Sequence, residues 1–277
     1  MTADEAVNVA DAPRVEVETG TEQLLAHTEG GVAWLTFNQP EKHNALSETM
    51  ALNAGDLMAR FEADDAVRVV VVRGAGERAF SAGADISEFG RQLDDLERIH
   101  AAIRQAWANW HVMSKPVIAA IRGYCIGGGL LAALRTDMRI AADDSVFSIP
   151  GARLGRAYAL EAAEMLRATV GPGFASEILF TARRLSADEA LACGLVNRVV
   201  PVGEWEQAVA DTATTIAENA PLTIQLAKVA LREAAKPPAD RDLDRIDAMA
   251  AACMASQDYT EGRAAFKEKR RPHFIGR

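Results

Sequence analysis

Three consecutive glycines at residues 127–129 constrain this chain more than any other feature of its sequence. They follow an apolar run of strand length, residues 117–121, and a turn at Arg122-Gly123, and a helix-forming stretch follows at residues 130–134. Because glycine has no Cβ, its backbone N–H is open to a ligand, and a helix start adds unpaired N–H groups. Such a place suits an anion, or an oxygen on which negative charge develops. The alternative is a tight turn with close packing between strand and helix.

Charge and cysteine usage exclude several classes of protein. The 277 residues carry a net charge of −9, which argues against a general binder of nucleic acid or anionic membranes. Cys125, Cys193 and Cys253 are widely spaced and fit neither a disulfide framework nor a metal site, so we expect a reducing, cytoplasmic location. No apolar run approaches membrane-spanning length. Residues 1–20 lack the features of a signal peptide and predict a flexible N-terminal arm.

Hydrophobic periodicity and turn residues predict a mixture of strands and helices. Before the glycines, the predictions are hairpin strands at 23–27 and 31–38, an amphipathic helix capped by Ser47, a buried strand at 67–72 and a helix at 90–113. After them, the predictions are strands at 138–142 and 145–149, a loop at 150–156, helices at 158–169 and 174–182, a helix capped by Ser186 and a strand at 196–200. Four helices are predicted at 204–218, 222–235, 243–256 and 260–270. The chain is therefore a mixed α/β protein with a helical C-terminal region.

A dinucleotide-binding fold is the main competing interpretation of the glycines. Its fingerprint, G-x-G-x-x-G, separates the glycine of the turn from the glycine of helix packing, whereas here the three are adjacent. The helix at 130–135 is also expected to be too short for a crossover between parallel strands. A P-loop is excluded because no Gly-Lys-Ser/Thr follows.

Five stretches together carry a resemblance to a known family. They are FNQPEKHNALS (37–47), ERAFSAGADISEF (77–89), IRGYCIGGGLLAAL (121–134), ILFTARRLSADEALACGLVNRVVP (178–201) and EGRAAFKEKRRPHF (261–274). Each motif is weak alone, but in this order they are highly specific. On these motifs the chain resembles the crotonase superfamily, the enoyl-CoA hydratases and isomerases, from about Gln23 to its C-terminus.

The resemblance implies an α/β fold, a spiral of ββα turns with a helical C-terminal trimerisation region. The implied division is an arm at 1–20, a spiral core that binds acyl-CoA at 21–202, and an oligomerisation region at 203–277. The implied assembly is a homotrimer or a dimer of trimers. The implied ligand is an acyl-CoA thioester; coenzyme A enters as part of the substrate, and neither a permanent cofactor nor a metal is expected.

By motif position, the family's oxyanion hole, which holds the thioester oxygen, corresponds to the backbone N–H groups of Ala84 and Gly128. This agrees with the interpretation of the glycines as a site for developing negative charge. The remaining implied contacts are with coenzyme A. They fall on Lys42 (Glu41 occupies the matching basic position), Arg78, Ala82, Gly83, Asp85, Ile86 and, often from a neighbouring subunit, Phe266 and Lys269.

Two expected carboxylates are missing. Hydratases of this family use one glutamate two residues after the glycines and another directly after a proline, but this chain has Leu131 and Gly151 there. An apolar leucine neither binds nor activates water, so ordinary hydration is not expected.

Three interpretations follow from this departure. An enzyme could use another base, and Glu161 and Glu164 are the candidates, with Asp85 and Glu88 as weaker ones; a solvated helix face explains the first two equally well. The chain could instead bind acyl-CoA without catalysis. It could also catalyse a reaction that needs only the oxyanion hole, such as decarboxylation.

Overall fold

The structure, a computed structural model, describes residues 12–85, 103, 106, 107, 110 and 112–277. Two of the predicted site residues, Ile86 and Glu88, lie outside the described residues, as does most of the predicted helix at 90–113. The same holds for the first eleven residues of the predicted N-terminal arm.

The described residues form eleven strands and nine α-helices. The strands are β1 (Val15–Glu16), β2 (Leu24–Glu29), β3 (Val32–Phe37), β4 (Val69–Gly74), β5 (Ala79–Ser81), β6 (Val117–Ile121), β7 (Tyr124–Ile126), β8 (Met138–Ala142), β9 (Val146–Ser148), β10 (Leu185–Ser186) and β11 (Arg198–Val200). The helices are α1 (Glu48–Ala63), α2 (Gly128–Leu134), α3 (Gly151–Leu154), α4 (Leu160–Thr181), α5 (Ala187–Ala192), α6 (Val202–Glu218), α7 (Pro221–Ala235), α8 (Leu243–Ala255) and α9 (Gln257–Glu268).

The strands belong to two sheets, which the chain visits in turn. The large sheet has the order β1-β2-β3-β4-β6-β8-β11, and it is parallel from β3 onward. The small sheet has the order β10-β9-β7-β5, with β5, β7 and β9 parallel. Thus β6 enters the large sheet, β7 the small sheet, and α2 follows; β8, β9 and α3 repeat this order. The repeated unit is the ββα turn that the family resemblance implied.

One argument from the sequence was wrong. Strands β6 and β8 are parallel neighbours, with Ile121 opposite Ala141, although only the short α2 lies between them as a helix. Strand β7, which the sequence analysis missed, supplies the extra length of this connection. The order of the glycines therefore remains as the argument against a dinucleotide-binding fold.

The core lies on both faces of the large sheet. Alternate residues of β4 face opposite sides: Val70 and Val72 join the cluster beneath α1, whereas Val69 and Val71 join a second cluster with Trp205 of α6. A continuous apolar strand is expected where both faces of a parallel sheet are covered.

Turns and caps match the predictions in several places. Gly30 and Gly31 both have positive φ, 55° and 77°, as the two-residue turn between β2 and β3 requires. The Ser47 hydroxyl accepts a hydrogen bond from Met50 N at 3.0 Å and caps α1. The predicted break between the helices at 158–169 and 174–182 appears as a kink inside α4 at Gly171.

The predicted loop at 150–156 was wrong in part. Gly151–Leu154 is one turn of α-helix, which Gly155 ends in a left-handed conformation with φ 62°. Pro150 is its N-cap residue, and proline has no N–H that would be left unpaired at a helix start.

The C-terminal helices differ in burial. Helix α6 buries Trp205, Val209 and Ala213 against the large sheet, whereas α8 has no buried residue. The division of the chain at 202/203 and the oligomeric role of residues 203–277 stay predictions. None of the described helices is long and apolar enough to cross a membrane.

Candidate active site

The predicted oxyanion-hole residues and position 151 lie at one edge of the small sheet. In this sheet Cys125 of β7 lies opposite Ser81 of β5, and Ile126 lies opposite Ser148 of β9. Because the three strands are parallel, the loops after them emerge at the same edge. Ligands of parallel α/β sheets bind at such carboxyl edges. The loops that begin at residues 82, 127 and 149 therefore form the candidate site.

The first two loops approach each other closely. Gly83 has φ 102°, and a Cβ built there would lie 3.0 Å from the Ile126 carbonyl oxygen and 3.3 Å from Gly128 N. A Cβ built on Gly128 would lie 3.4 Å from Ala84 N. The backbone nitrogens that the sequence singled out are therefore brought to the same place.

Local hydrogen bonding leaves both N–H groups without an acceptor in the described part of the chain. Ala84 forms a parallel bridge with Leu46, in which Leu46 N donates to Gly83 O at 2.7 Å and Asp85 N donates to Leu46 O at 3.0 Å. This pairing uses the residues on either side of Ala84, so the Ala84 N–H faces away from Leu46. Gly128 is the first residue of α2, where no preceding turn offers a carbonyl.

Glycine is required at positions 127 and 129 for two different structural reasons. A Cβ on Gly129 would lie 2.4 Å from the Ser81 carbonyl oxygen, so only glycine lets α2 pack this close to β5. Gly127 has φ 54°, and its N–H donates to Ser148 O at 2.8 Å. Tight packing therefore explains Gly129, and the requirement for left-handed backbone explains Gly127. Neither reason applies to Gly128.

Asn44 ties the 37–47 segment to the start of β5 and to the loop before it, and the sequence analysis did not identify it. Its Nδ2 donates to the carbonyl oxygens of Ala79 at 2.7 Å and Ala75 at 2.9 Å, and its Oδ1 accepts from Gln39 N at 3.0 Å. The residue is fully buried and has φ 54°, a left-handed conformation that Asn tolerates better than most residues. Its position two residues before Leu46 explains why the 37–47 motif belongs to the site.

A tyrosine occupies the space beside Gly151. A Cβ built on Gly151 would lie 1.9 Å from the Tyr158 hydroxyl oxygen and 2.1 Å from the ring carbon that carries it. Burial raises the pKa of the Tyr158 phenol, and the Gly151 N–H and the charge of Arg156 offset part of this rise. Leu131, the other altered position, is half-buried and packs against the core.

The candidate replacement bases have different surroundings. Glu161 Oε1 lies 2.7 Å from Arg135 Nη2, and Arg135 Nη1 donates to Leu131 O at 3.2 Å. This pair therefore holds Glu161 at the end of α2. Glu164 is exposed on α4. Asp85 is buried and forms an ion pair with Lys42 at 2.9 Å.

The described residues predicted to meet coenzyme A differ in exposure: Gly83 and Asp85 are buried, and the others lie on the surface of the chain. Arg78 and Ala82 are exposed near the ends of β5, and Lys42 is half-exposed beside Asp85. Phe266, with 88% of its surface exposed, and Lys269 lie at the C-terminal end of α9. Their contact with a ligand bound to a neighbouring subunit stays a prediction.

Two cavities lined by described residues lie away from the three loops. One, of about 290 Å³, lies between Arg68, Lys115 and the C-terminal Arg277; the other, of about 230 Å³, lies beside Trp34 and Trp205. The described residues contain no group of three or more His, Cys, Asp or Glu side chains that could hold a metal ion. The backbone geometry of the loops is therefore what identifies the candidate site.

Comparisons with known proteins show the family and agree with the fold. A family model described as enoyl-CoA hydratase/isomerase matches residues 27–277. The chain is 37% identical over 259 residues to a crotonyl-CoA hydratase of Syntrophomonas wolfei, covering 92% of this chain and 99% of that protein. It is 32% identical over 265 residues to a carnitinyl-CoA dehydratase of Proteus mirabilis, covering 93% and 100%. A solved enoyl-CoA hydratase/carnithine racemase from Magnetospirillum magneticum has a TM-score of 0.87 and 34% identity, covering 93% of this chain and 97% of that one.

Proposed function

Because the chain belongs to the enoyl-CoA hydratase/isomerase family, the crotonase superfamily, and has its fold, we propose that it binds an acyl-CoA thioester and polarises the thioester carbonyl. The observation that carries this proposal is the pair of unused backbone N–H groups, Ala84 and Gly128, on adjacent loops. Two fixed donors stabilise the charge that grows on a carbonyl oxygen as an enolate forms. They do so without reorganising, because the surrounding packing already holds them.

The coenzyme A part of the ligand would bind along the loop after β5. In this proposal the segment from Ala82 to Ile86 receives the adenine end, and Arg78 and Lys42 lie near the phosphates. The Lys42–Asp85 ion pair supports this arrangement because it fixes an exposed cation next to the loop. Phe266 and Lys269, exposed at the end of α9, would meet coenzyme A held by a neighbouring copy of the chain.

The names of the relatives favour hydration or dehydration. Against this, Leu131 and Gly151 leave the two positions that should carry carboxylates without an acid or base. We therefore expect hydration of crotonyl-CoA to be very slow, with enolate stabilisation retained. A non-catalytic acyl-CoA binder, or a decarboxylase or isomerase with a non-standard base, is the alternative.

The binding half is tested by thermal unfolding with acetyl-, crotonyl- and longer acyl-CoA thioesters. Each ligand that binds only the folded state stabilises it by mass action and so raises the melting temperature. At a ligand concentration about a hundred times Kd, the free energy of unfolding rises by about 2.7 kcal/mol. Free coenzyme A is the control that separates recognition of the carrier from recognition of the acyl group. The absence of a shift with every thioester would overturn the proposal.

The reaction is tested by incubating the same thioesters and analysing the products. A binder leaves them unconsumed over long incubation, whereas a catalyst converts at least one. Fast hydration of crotonyl-CoA would show that another residue replaces the missing carboxylates. In that case Glu161→Gln and Glu164→Gln should identify which carboxylate acts, since each change removes the charge and keeps the size.

A further inference from the structure

The hydroxyl end of Tyr158 occupies the space where a side chain at the altered position 151 would lie. Its hydroxyl oxygen and two ring carbons lie 1.9 Å, 2.1 Å and 2.2 Å from where a residue-151 Cβ would be. Any side chain at 151 would have to displace the phenol. The tyrosine and a carboxylate at 151 therefore exclude each other, and the tyrosine brings a different proton-carrying group to the same place.

This place adjoins the pair of backbone donors. Gly127 N donates to Ser148 O at 2.8 Å, and a Cβ on Gly127 would lie 3.7 Å from the Pro150 ring. Gly151, which follows Pro150, is thus held beside the start of α2 that presents the Gly128 N–H. Tyr158 packs against the core and remains half-buried, so its side chain is partly accessible.

Two neighbouring groups favour the ionised form of the phenol. The Gly151 N–H and the charge of Arg156 both lower the pKa of the Tyr158 phenol and so offset part of the effect of burial, and the phenol carries its own proton to donate. Among the described residues, Arg156 is the charged side chain whose field acts on this phenol. Both groups stabilise the phenolate that would remain after proton donation.

We propose that the Tyr158 hydroxyl is the catalytic residue that exchanges a proton with the acyl α-carbon, in place of a carboxylate at position 151. The inference rests on the proposed thioester binding. The thioester enolate uses its C=C electron pair to form a C–H bond with the phenol proton, the phenol O–H bond breaks, and the thioester C=O is restored. The phenolate then recovers a proton from water. In the reverse direction the phenolate removes the α-proton, and the electron pair passes to the thioester oxygen.

The test follows this reverse direction. The whole protein is incubated with butyryl-CoA in D₂O, and deuterium at the α-carbon is measured by mass spectrometry. Wild type should exchange the α-protons, at a rate that rises with pH into the alkaline range, because the phenolate is the base and burial raises the pKa of the Tyr158 phenol. Tyr158→Phe should lose at least about a hundredfold of this rate, the lower end of general acid–base contributions. Its melting-temperature shift with butyryl-CoA should remain.

Two further variants keep the result interpretable. Tyr259→Phe makes the same chemical change at an exposed position of α9 and should keep both exchange and binding. Gly151→Ala keeps the hydroxyl but displaces the end of the flexible tyrosine, so it should lose exchange as Tyr158→Phe does. It also carries the test if Tyr158→Phe fails to fold.

The outcomes separate the two proposals. A wild-type protein whose melting temperature no thioester changes would remove the proposed binding function. Binding without any α-exchange, or exchange by Tyr158→Phe at the wild-type rate and pH dependence, would overturn the role of Tyr158 and leave thioester binding intact.

Discussion

The candidate site has two halves that are built differently. The backbone half consists of the N–H groups of Ala84 and Gly128, and the side-chain half consists of positions 131, 151 and 158. The first is held by packing that involves several elements, because Gly129 fits against β5 and Leu46 pairs with Ala84. The second depends on single side chains. A chain can therefore change its acid–base groups by one or two substitutions, whereas moving the backbone donors would disturb the fold.

The largest expected effect is on the stability of the backbone half. In Gly129→Ala the new methyl group would lie 2.4 Å from the Ser81 carbonyl oxygen, and this oxygen belongs to a strand. Backbone cannot move aside as a side chain can, so unfolding free energy should fall by about 3 kcal/mol, the upper part of the usual range for overpacking. Chemical denaturation measures this loss.

Gly173→Ala is the matched control for that substitution. Gly173 lies in α4 with nothing within 4 Å of its built Cβ, so alanine should leave stability unchanged or raise it by up to about 1 kcal/mol. Equal behaviour of the two variants would show that packing against Ser81 does not hold the backbone half.

An intermediate effect is expected from Gly128→Ala, which separates function from stability. Its Cβ would lie 3.4 Å from Ala84 N, an ordinary contact, so the fold should persist. The methyl group would, however, cover the approach to the Ala84 N–H. Thioester affinity should fall about tenfold, or about 1.4 kcal/mol, as isothermal titration calorimetry can measure. Unchanged affinity would show that the thioester oxygen does not bind between these two nitrogens.

The smallest effect is expected in the side-chain half. Leu131→Met nearly conserves volume at a half-buried position, so stability should change by less than about 1.5 kcal/mol and thioester affinity should stay the same. Thermal unfolding with and without crotonyl-CoA tests both. A marked loss of affinity would show that Leu131 itself shapes the acyl pocket, and the contrast between the halves would then be weaker.

Sequence reasoning predicted the elements that local pattern determines. The Ser47 cap, the turn at Gly30-Gly31 and the apolar strand Val117–Ile121 all follow from the chemistry of neighbouring residues. Strand β7 has only three residues and owes its conformation to pairing with β5 and β9 on either side. No periodicity in the sequence could show it.

The same limit applies to the site. The order of the motifs assigned Ala84 and Gly128 to one site, and the structure places their loops side by side. Tyr158 could not be found in this way, because its relation to Gly151 depends on the helical turn at Gly151–Leu154, a stretch predicted to be a loop. Only the three-dimensional structure shows that the Tyr158 ring occupies the space where a side chain at position 151 would lie.

The parallel order of β5, β7 and β9 has a consequence for engineering. Each strand contributes its own loop to a shared edge, and the loops after β5 and β7 carry the proposed carbonyl donors, whereas the loop after β9 carries Gly151 and leads to Tyr158. The loop after β9 can therefore be exchanged as a cassette. Replacing residues 149–158 with the corresponding segment of a hydratase relative would change the acid–base groups beside the acyl chain. The two proposed carbonyl donors, Ala84 N–H and Gly128 N–H, would stay in place.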